Sequence, residues 1–163
     1  MLFKKKKGKV LLTKAPDFTL LDQDNAPVKL SRVSSISPVM LVFYPMDFSP
    51  VCSAQLCDYR DHIEEFSDYG VQIFGISAQD VDSHKKFATE NNFPFLLLSD
   101  PGNIVAKDYG CTSLLMLGNV SLAIFIIKKD IILYRYVEKT GFTRRQSHEL
   151  IQVLKDLSQN SVI

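Results

Sequence analysis

At 163 residues, with 46% hydrophobic and 23% charged side chains, the chain can build one domain around its own core without disulfide staples or a structural metal. A net charge of +1 removes any general electrostatic case for a nucleic-acid partner. No run reaches the roughly 18 apolar residues of a membrane span, so no membrane partner is expected, and three cysteines make no disulfide framework.

The first segment holds the basic run Lys4 to Lys7, followed by Lys9. Only Val10-Leu11-Leu12 comes next, shorter than the roughly 7–15 apolar residues of a secretory signal. Residues 1–12 therefore read as a basic, solvated tail, ahead of a domain over 13–163 in a cytoplasmic protein. Ala15 to Leu20 is extended and ends at the polar turn Asp22 to Asn25. Val39 to Tyr44 is a continuous apolar run, as expected of a strand buried on both faces, and Pro45 ends it. From Cys52 to Tyr69, apolar residues at Leu56, Tyr59, Ile63 and Phe66 have helical spacing, with Gly70 as the stop.

Val71 to Ser77 is a second buried strand, Val81 to Asn91 a helix, and Phe95 to Leu98 a third short strand. Ser99 to Gly102 has turn chemistry, and Asn103 to Tyr109 is a short helix ended by Gly110. Ser121 to Ile127 and Ile131 to Val137 predict a hairpin across Lys128-Lys129-Asp130. His148 to Leu157 closes the chain as a helix with Leu150, Ile151, Leu154 and Leu157 on one face. This alternation predicts an α/β fold with a mixed central sheet flanked by helices. In such sheets ligands bind beyond the carboxyl ends of strands. The segment Pro45-Met46-Asp47-Phe48-Ser49-Pro50-Val51-Cys52 lies at such an end.

Ser49 followed by Pro50 suits a helix start, which sets Cys52 in the first turn. Free N–H groups and the positive helix end favour an anion there, and the thiolate is the nucleophilic form of cysteine. Such a thiolate can attack a peroxide oxygen. The Ser49 hydroxyl is within reach of the thiolate or the peroxide, and Pro45 can shield the sulfur from water. On spacing alone, a plain N-cap at Ser49 and an inert small residue at Cys52 fit equally well.

The stretch FYPMDFSPVCSAQLCDYRD, residues 43–61, resembles the active-site motif of peroxiredoxins, in particular the bacterioferritin comigratory protein or peroxiredoxin Q branch. That family carries a proline, three residues, a threonine or serine, two residues and the peroxidatic cysteine, a spacing that Pro45, Ser49 and Cys52 match. Cys57 stands where the branch often has a second cysteine. Ala15 to Leu20, Ser83 to Phe87 and Leu97 to Pro101 resemble further family segments, so that the likeness runs over roughly residues 13–157.

The resemblance implies a thioredoxin-like fold and a thiol-dependent peroxidase. In that cycle Cys52 is oxidised by hydrogen peroxide or an alkyl hydroperoxide to a sulfenic acid. Cys57 resolves it as an intramolecular disulfide, and thioredoxin or a similar dithiol reduces the disulfide. No cofactor or metal is needed. The branch is often monomeric, and a dimer through an exposed patch stays open. Residues five apart on a helix are separated by about 7.5 Å of rise, whereas a disulfide needs Cα atoms within about 7 Å. The helix must therefore unwind between the two oxidation states. Cys111 reads first as a core thiol and second as a backup resolving cysteine.

One departure stands out. The family places an arginine near the peroxidatic sulfur, and Leu122 occupies that position here. Arg60 is a candidate substitute cation, beside the plainer reading of an exposed helix arginine. The missing arginine opens an alternative: a degenerate peroxiredoxin serving as a redox sensor or interaction module. A thioredoxin-like disulfide exchanger is weaker, because no C-x-x-C is present. Asn25 replaces a family glycine at a turn. His62, His84 and His148 lack metal-ligand spacing and are expected in surface or capping roles. Phe43, Tyr44 and Phe48 are expected as core or pocket walls.

Overall fold

The computed structural model describes residues 9–113, 118–139 and 144–163. The basic run Lys4 to Lys7 lies outside them. Strand β1 (Lys9–Lys14) precedes a hairpin of β2 (Thr19–Asp22) and β3 (Pro27–Lys29), then helix α1 (Leu30–Ile36). Strand β4 (Val39–Phe43) leads through a loop to α2 (Pro50–Asp61) and α3 (Ile63–Ser67). Next come β5 (Gln72–Ser77), α4 (Val81–Asn91), β6 (Leu96–Ser99), a 3-10 turn (Pro101–Asn103) and α5 (Ile104–Asp108). The hairpin β7 (Ala123–Lys128) and β8 (Ile131–Val137) and the helix α6 (Ser147–Gln159) complete the described elements.

These strands form an eight-stranded sheet in the order β1-β8-β7-β4-β5-β6-β2-β3. The pairs β4–β5 and β5–β6 are parallel, and β4–β7 is antiparallel, so the sheet is mixed as expected. Its centre is β4, where all five residues are fully buried. The pleat sends Met40 and Val42 to one face and Val39, Leu41 and Phe43 to the other. On the first face they join Leu56, Tyr59, Phe66, Phe87, Leu150 and Leu154 from α2, α3, α4 and α6. On the second they meet Leu30, Val105, Ala106 and Tyr109, around α1 and α5. Two-sided burial explains why β4 reads as one unbroken apolar run. No described helix is long and apolar enough to cross a membrane.

The helix expected over 52–69 is two helices. It starts at Pro50 and breaks at His62 (φ −113°, ψ 21°), which caps α2 and precedes α3. Apolar spacing hides the break, because Tyr59 and Phe66 stay on one side and their rings meet at 5.8 Å across it. Three elements were not expected. β1 enters the sheet from Lys9 by pairing with β8, so the sheet begins inside the segment read as a tail. Its apolar alternation is masked because Val10 and Leu12 face solvent at the sheet edge. β3 is only three residues long. Helix α1 has poor local propensity, and is held by buried Leu30 and by the Ser34 hydroxyl, which donates to Asp130 Oδ1 at 2.8 Å. The predicted turn residues behave as expected: Asn25 takes φ 62°, and Lys129 and Asp130 take 49° and 62° in the β7–β8 turn.

Gly75 sits in the middle of β5 under close packing. A Cβ there would lie 2.6 Å from Leu97 Cδ2 and 3.2 Å from Tyr44 Cε1, both on fully buried side chains. Gly75→Ala is expected to destabilise the fold by on the order of 1–3 kcal/mol through overpacking, measured as a lower midpoint in urea unfolding with an unchanged slope.

Candidate active site

The site forms where β4 ends. Its loop runs beside the carboxyl end of β5 and beside the segment that leads into β7, since Phe43 pairs with both Ile76 and Ala123. Ser49 is the N-cap of α2 in an extended conformation, and Pro50 follows as the first helical residue. The Ser49 hydroxyl oxygen accepts from the Cys52 backbone N–H at 3.3 Å. This bond leaves the hydroxyl's own hydrogen for a partner in the pocket. The twelve-residue helix behind Cys52 directs its positive end at the sulfur's turn.

Cys52 is 2% exposed and lines a pocket of about 180 Å³. Pro45, Ser49, Val51, Cys52, Val120, Ser121 and Leu122 line it. The three expected residues Pro45, Ser49 and Cys52 are thus brought together, and Leu122 is there with them. Val51, Val120 and Ser121 were not anticipated. The last two flank Leu122, so the same segment was the available signal. None of these seven side chains carries a positive charge.

Arg60 does not supply the missing cation to this pocket. Its Nε and Nη2 donate to Asp61 Oδ1, each at 2.8 Å, and its Nη1 donates to Asn91 O at 2.7 Å. The bond to Asp61 holds its guanidinium more firmly protonated than usual. The geometry sets it against the end of α4, on the Cys57 side of the helix. Cys57 is half-buried, and its Sγ donates to Asn91 Oδ1 at 3.5 Å. Cys52, Cys57 and Cys111 are all free thiols, and α2 is continuous across the first two. This is the reduced, folded arrangement expected from the helix geometry.

Beneath the loop lies a polar cluster that sequence reasoning missed. The Asp47 carboxylate is buried and accepts from Tyr44 Oη at 2.7 Å and from Ser83 Oγ at 2.8 Å. His84 Nδ1 lies 2.8 Å from Asp47 Oδ2, and Nε2 lies 3.1 Å from Leu98 O. A carbonyl only accepts, so Nε2 carries a proton. His84 is fully buried, contrary to the surface or capping role expected of it. Its partner stands 37 positions away, beyond any local pattern. The Asp47 N–H donates to Gln79 Oε1 at 3.0 Å, tying the same loop to the end of β5. Burial, and then the Asp47 charge, push the Tyr44 phenol well above its ordinary range, so it stays a donor.

Phe48 follows with φ 63°, a costly conformation for a bulky side chain. Its ring is half-exposed and packs on Phe87 at 4.9 Å. Phe43 and Tyr44 are core residues, and none of the three aromatic side chains lines the pocket. Cys111 is a core thiol, 1% exposed and pushed up to about 12 by burial. His62 caps α2, its Nδ1 donating to Asp58 O at 2.8 Å, while His148 is exposed. The described residues hold no group of three or more metal-ligating side chains.

Comparison with known proteins bears on the family and the fold. The profile of the AhpC/TSA family matches residues 11–136. The chain is 47% identical over 98 residues to chloroplastic peroxiredoxin Q of Triticum aestivum, covering 60% of this chain and 45% of that protein. It is 49% identical over 96 residues to chloroplastic peroxiredoxin Q of Arabidopsis thaliana, covering 59% and 44%. The chain thus spans about half the length of these curated relatives. Among solved structures, peroxidoxin BcpB from Mycobacterium tuberculosis matches with a TM-score of 0.79 at 31% identity, over 92% of this chain and 97% of that one. A structure of Xanthomonas campestris peroxiredoxin Q, at 21% identity, shares the fold with a TM-score of 0.75 over 85% and 90% of the two chains. The sheet, its flanking helices and these neighbours make the fold thioredoxin-like, and the chain belongs to the AhpC/TSA family.

Proposed function

We propose that the protein is a thiol-dependent peroxidase with Cys52 as its peroxidatic nucleophile. The observation that carries this reading is the seating of Cys52 in the first turn of α2, opening into a pocket it shares with Pro45 and Ser49. In the proposed cycle the Cys52 thiolate attacks the terminal oxygen of a hydroperoxide. The O–O bond breaks, water or an alcohol leaves, and Cys52 becomes a sulfenic acid. Ser49 donates a hydrogen bond to the thiolate or to the peroxide, and Pro45 keeps bulk water from the sulfur. Cys57 then resolves the sulfenic acid as a disulfide after α2 unwinds, and a thioredoxin-like dithiol restores both thiols. The chemistry calls for no cofactor.

The pocket supports a more specific reading of the substrate. Pro45, Val51, Val120 and Leu122 make most of its wall apolar, and none of the described lining residues is a cation that could assist the developing charge on oxygen. An alkyl group gains from that wall, whereas hydrogen peroxide does not. The absence of a cation in the pocket lining also favours the second reading, a slow peroxide sensor. Peroxide-dependent NADPH consumption through thioredoxin and its reductase separates the two, since a sensor oxidises once without turnover.

Cys52→Ser is expected to abolish NADPH consumption, and Cys57→Ser to cut turnover at least tenfold while leaving sulfenic acid formation detectable with dimedone. Sustained turnover of Cys57→Ser with thioredoxin would remove the resolving role. The untouched protein should reduce cumene hydroperoxide on the order of tenfold faster than hydrogen peroxide, as one buried apolar group implies. Leu122→Arg, with its fold checked by circular dichroism, should narrow that ratio. Cys111 should resist iodoacetamide in the native protein at pH 8, because a thiol near 12 is almost wholly protonated there; mass mapping of the alkylated peptides reads this directly.

A further inference from the structure

The second half of α2 is held by the last residue of α4. Asn91 Oδ1 accepts from Cys57 Sγ at 3.5 Å, and Asn91 O accepts from Arg60 Nη1 at 2.7 Å. The orientation of the Asn91 amide is determined by a third bond. Its Nδ2 donates to Phe87 O at 2.9 Å, and a carbonyl can only accept, so the oxygen is the atom that Cys57 faces. A thiol can donate to that oxygen. A thiolate would set its charge against the oxygen's lone pairs, close to the negative end of α4. Among the charged neighbours, Arg60 is engaged with Asp61 and its charge also acts on Cys57, Asp58 accepts from the Ser147 N–H and hydroxyl, and Glu90 lies 4.0 Å from Lys86.

We propose that Asn91 is a positioning residue for the resolving step: its Oδ1 holds the Cys57 S–H docked on α4 until Cys52 is oxidised and α2 unwinds. The proposal rests on the peroxidase reading above. In the step itself, Cys57 loses its proton and its sulfur lone pair attacks the Cys52 sulfur. The S–S bond forms as the S–O bond of the sulfenic acid breaks, and the departing hydroxide takes the proton to leave as water. The sulfenic acid is the oxidant and no further reagent enters. Unwinding frees Cys57 from Asn91 in the same motion that carries it toward Cys52.

The test compares the parent protein with Asn91→Leu and Asn91→Asp. Rapid quench and mass spectrometry follow sulfenic acid and then disulfide, and iodoacetamide alkylation of Cys57 is measured against pH in a Cys52→Ser background. Asn91→Leu removes the acceptor, so disulfide formation should accelerate on the order of 2–10-fold, the worth of one such hydrogen bond. Its alkylation profile should move to lower pH. Asn91→Asp adds a negative charge, so its profile should move to higher pH and its disulfide form more slowly. A merely structural role for Asn91 would loosen α4 in both variants and move both profiles the same way, which overturns the proposal, as do unchanged profiles. If the parent forms no sulfenic acid with any hydroperoxide, the peroxidase reading fails, and the alkylation profiles still decide whether Asn91 holds Cys57.

Discussion

The loop of the candidate site depends on one buried carboxylate. Asp47 is 4% exposed, and a charge taken out of water is costly unless donors surround it. Tyr44, Ser83 and His84 converge on it from the end of β4 and from α4. Moving the loop would strand the carboxylate and leave several buried partners unmatched at once. That constraint explains how Phe48, the next residue, is held with a positive φ. It also sets where Ser49 begins the helix, and hence where the sulfur of Cys52 sits.

From that start, α2 gives its two cysteines opposite settings. Cys52 lies in the first turn, at the end of the helix that favours negative charge, inside a mostly apolar pocket. Cys57 lies more than a turn further on, where Asn91 at the end of α4 presents its Oδ1 to it. The guanidinium of Arg60 lies on the Cys57 side of this helix, held by Asp61 and Asn91. In the pocket itself Leu122 brings apolar surface where a positive charge would have assisted the thiolate.

Much of this was legible before any coordinates. The unbroken apolar run of β4 announced burial on both faces, and Val81–Asn91 and Ile131–Val137 have the limits their patterns predicted. Ser49-Pro50 marked the helix start, and Leu122 marked the altered pocket wall. What escaped were features with no local periodicity. The alternation of β1 is blurred at the sheet edge, and α1 forms because Leu30 and Ser34 find distant partners rather than because its sequence favours a helix. The pairing of His84 with Asp47 and of Cys57 with Asn91 joins residues more than thirty positions apart. Arg60 looked close to Cys52 along the chain, but helical rotation and the Asp61 and Asn91 contacts turn it toward Cys57.

The break at His62 bears on how far disorder can spread. Helical hydrogen bonding is cooperative only along an uninterrupted run, and α2 already stops at a residue outside helical geometry. Fraying that begins near Cys52 therefore meets a boundary before α3, whose Phe66 remains embedded against the sheet. The chain is in effect hinged in advance, so one short helix can open while the rest of that layer keeps its packing.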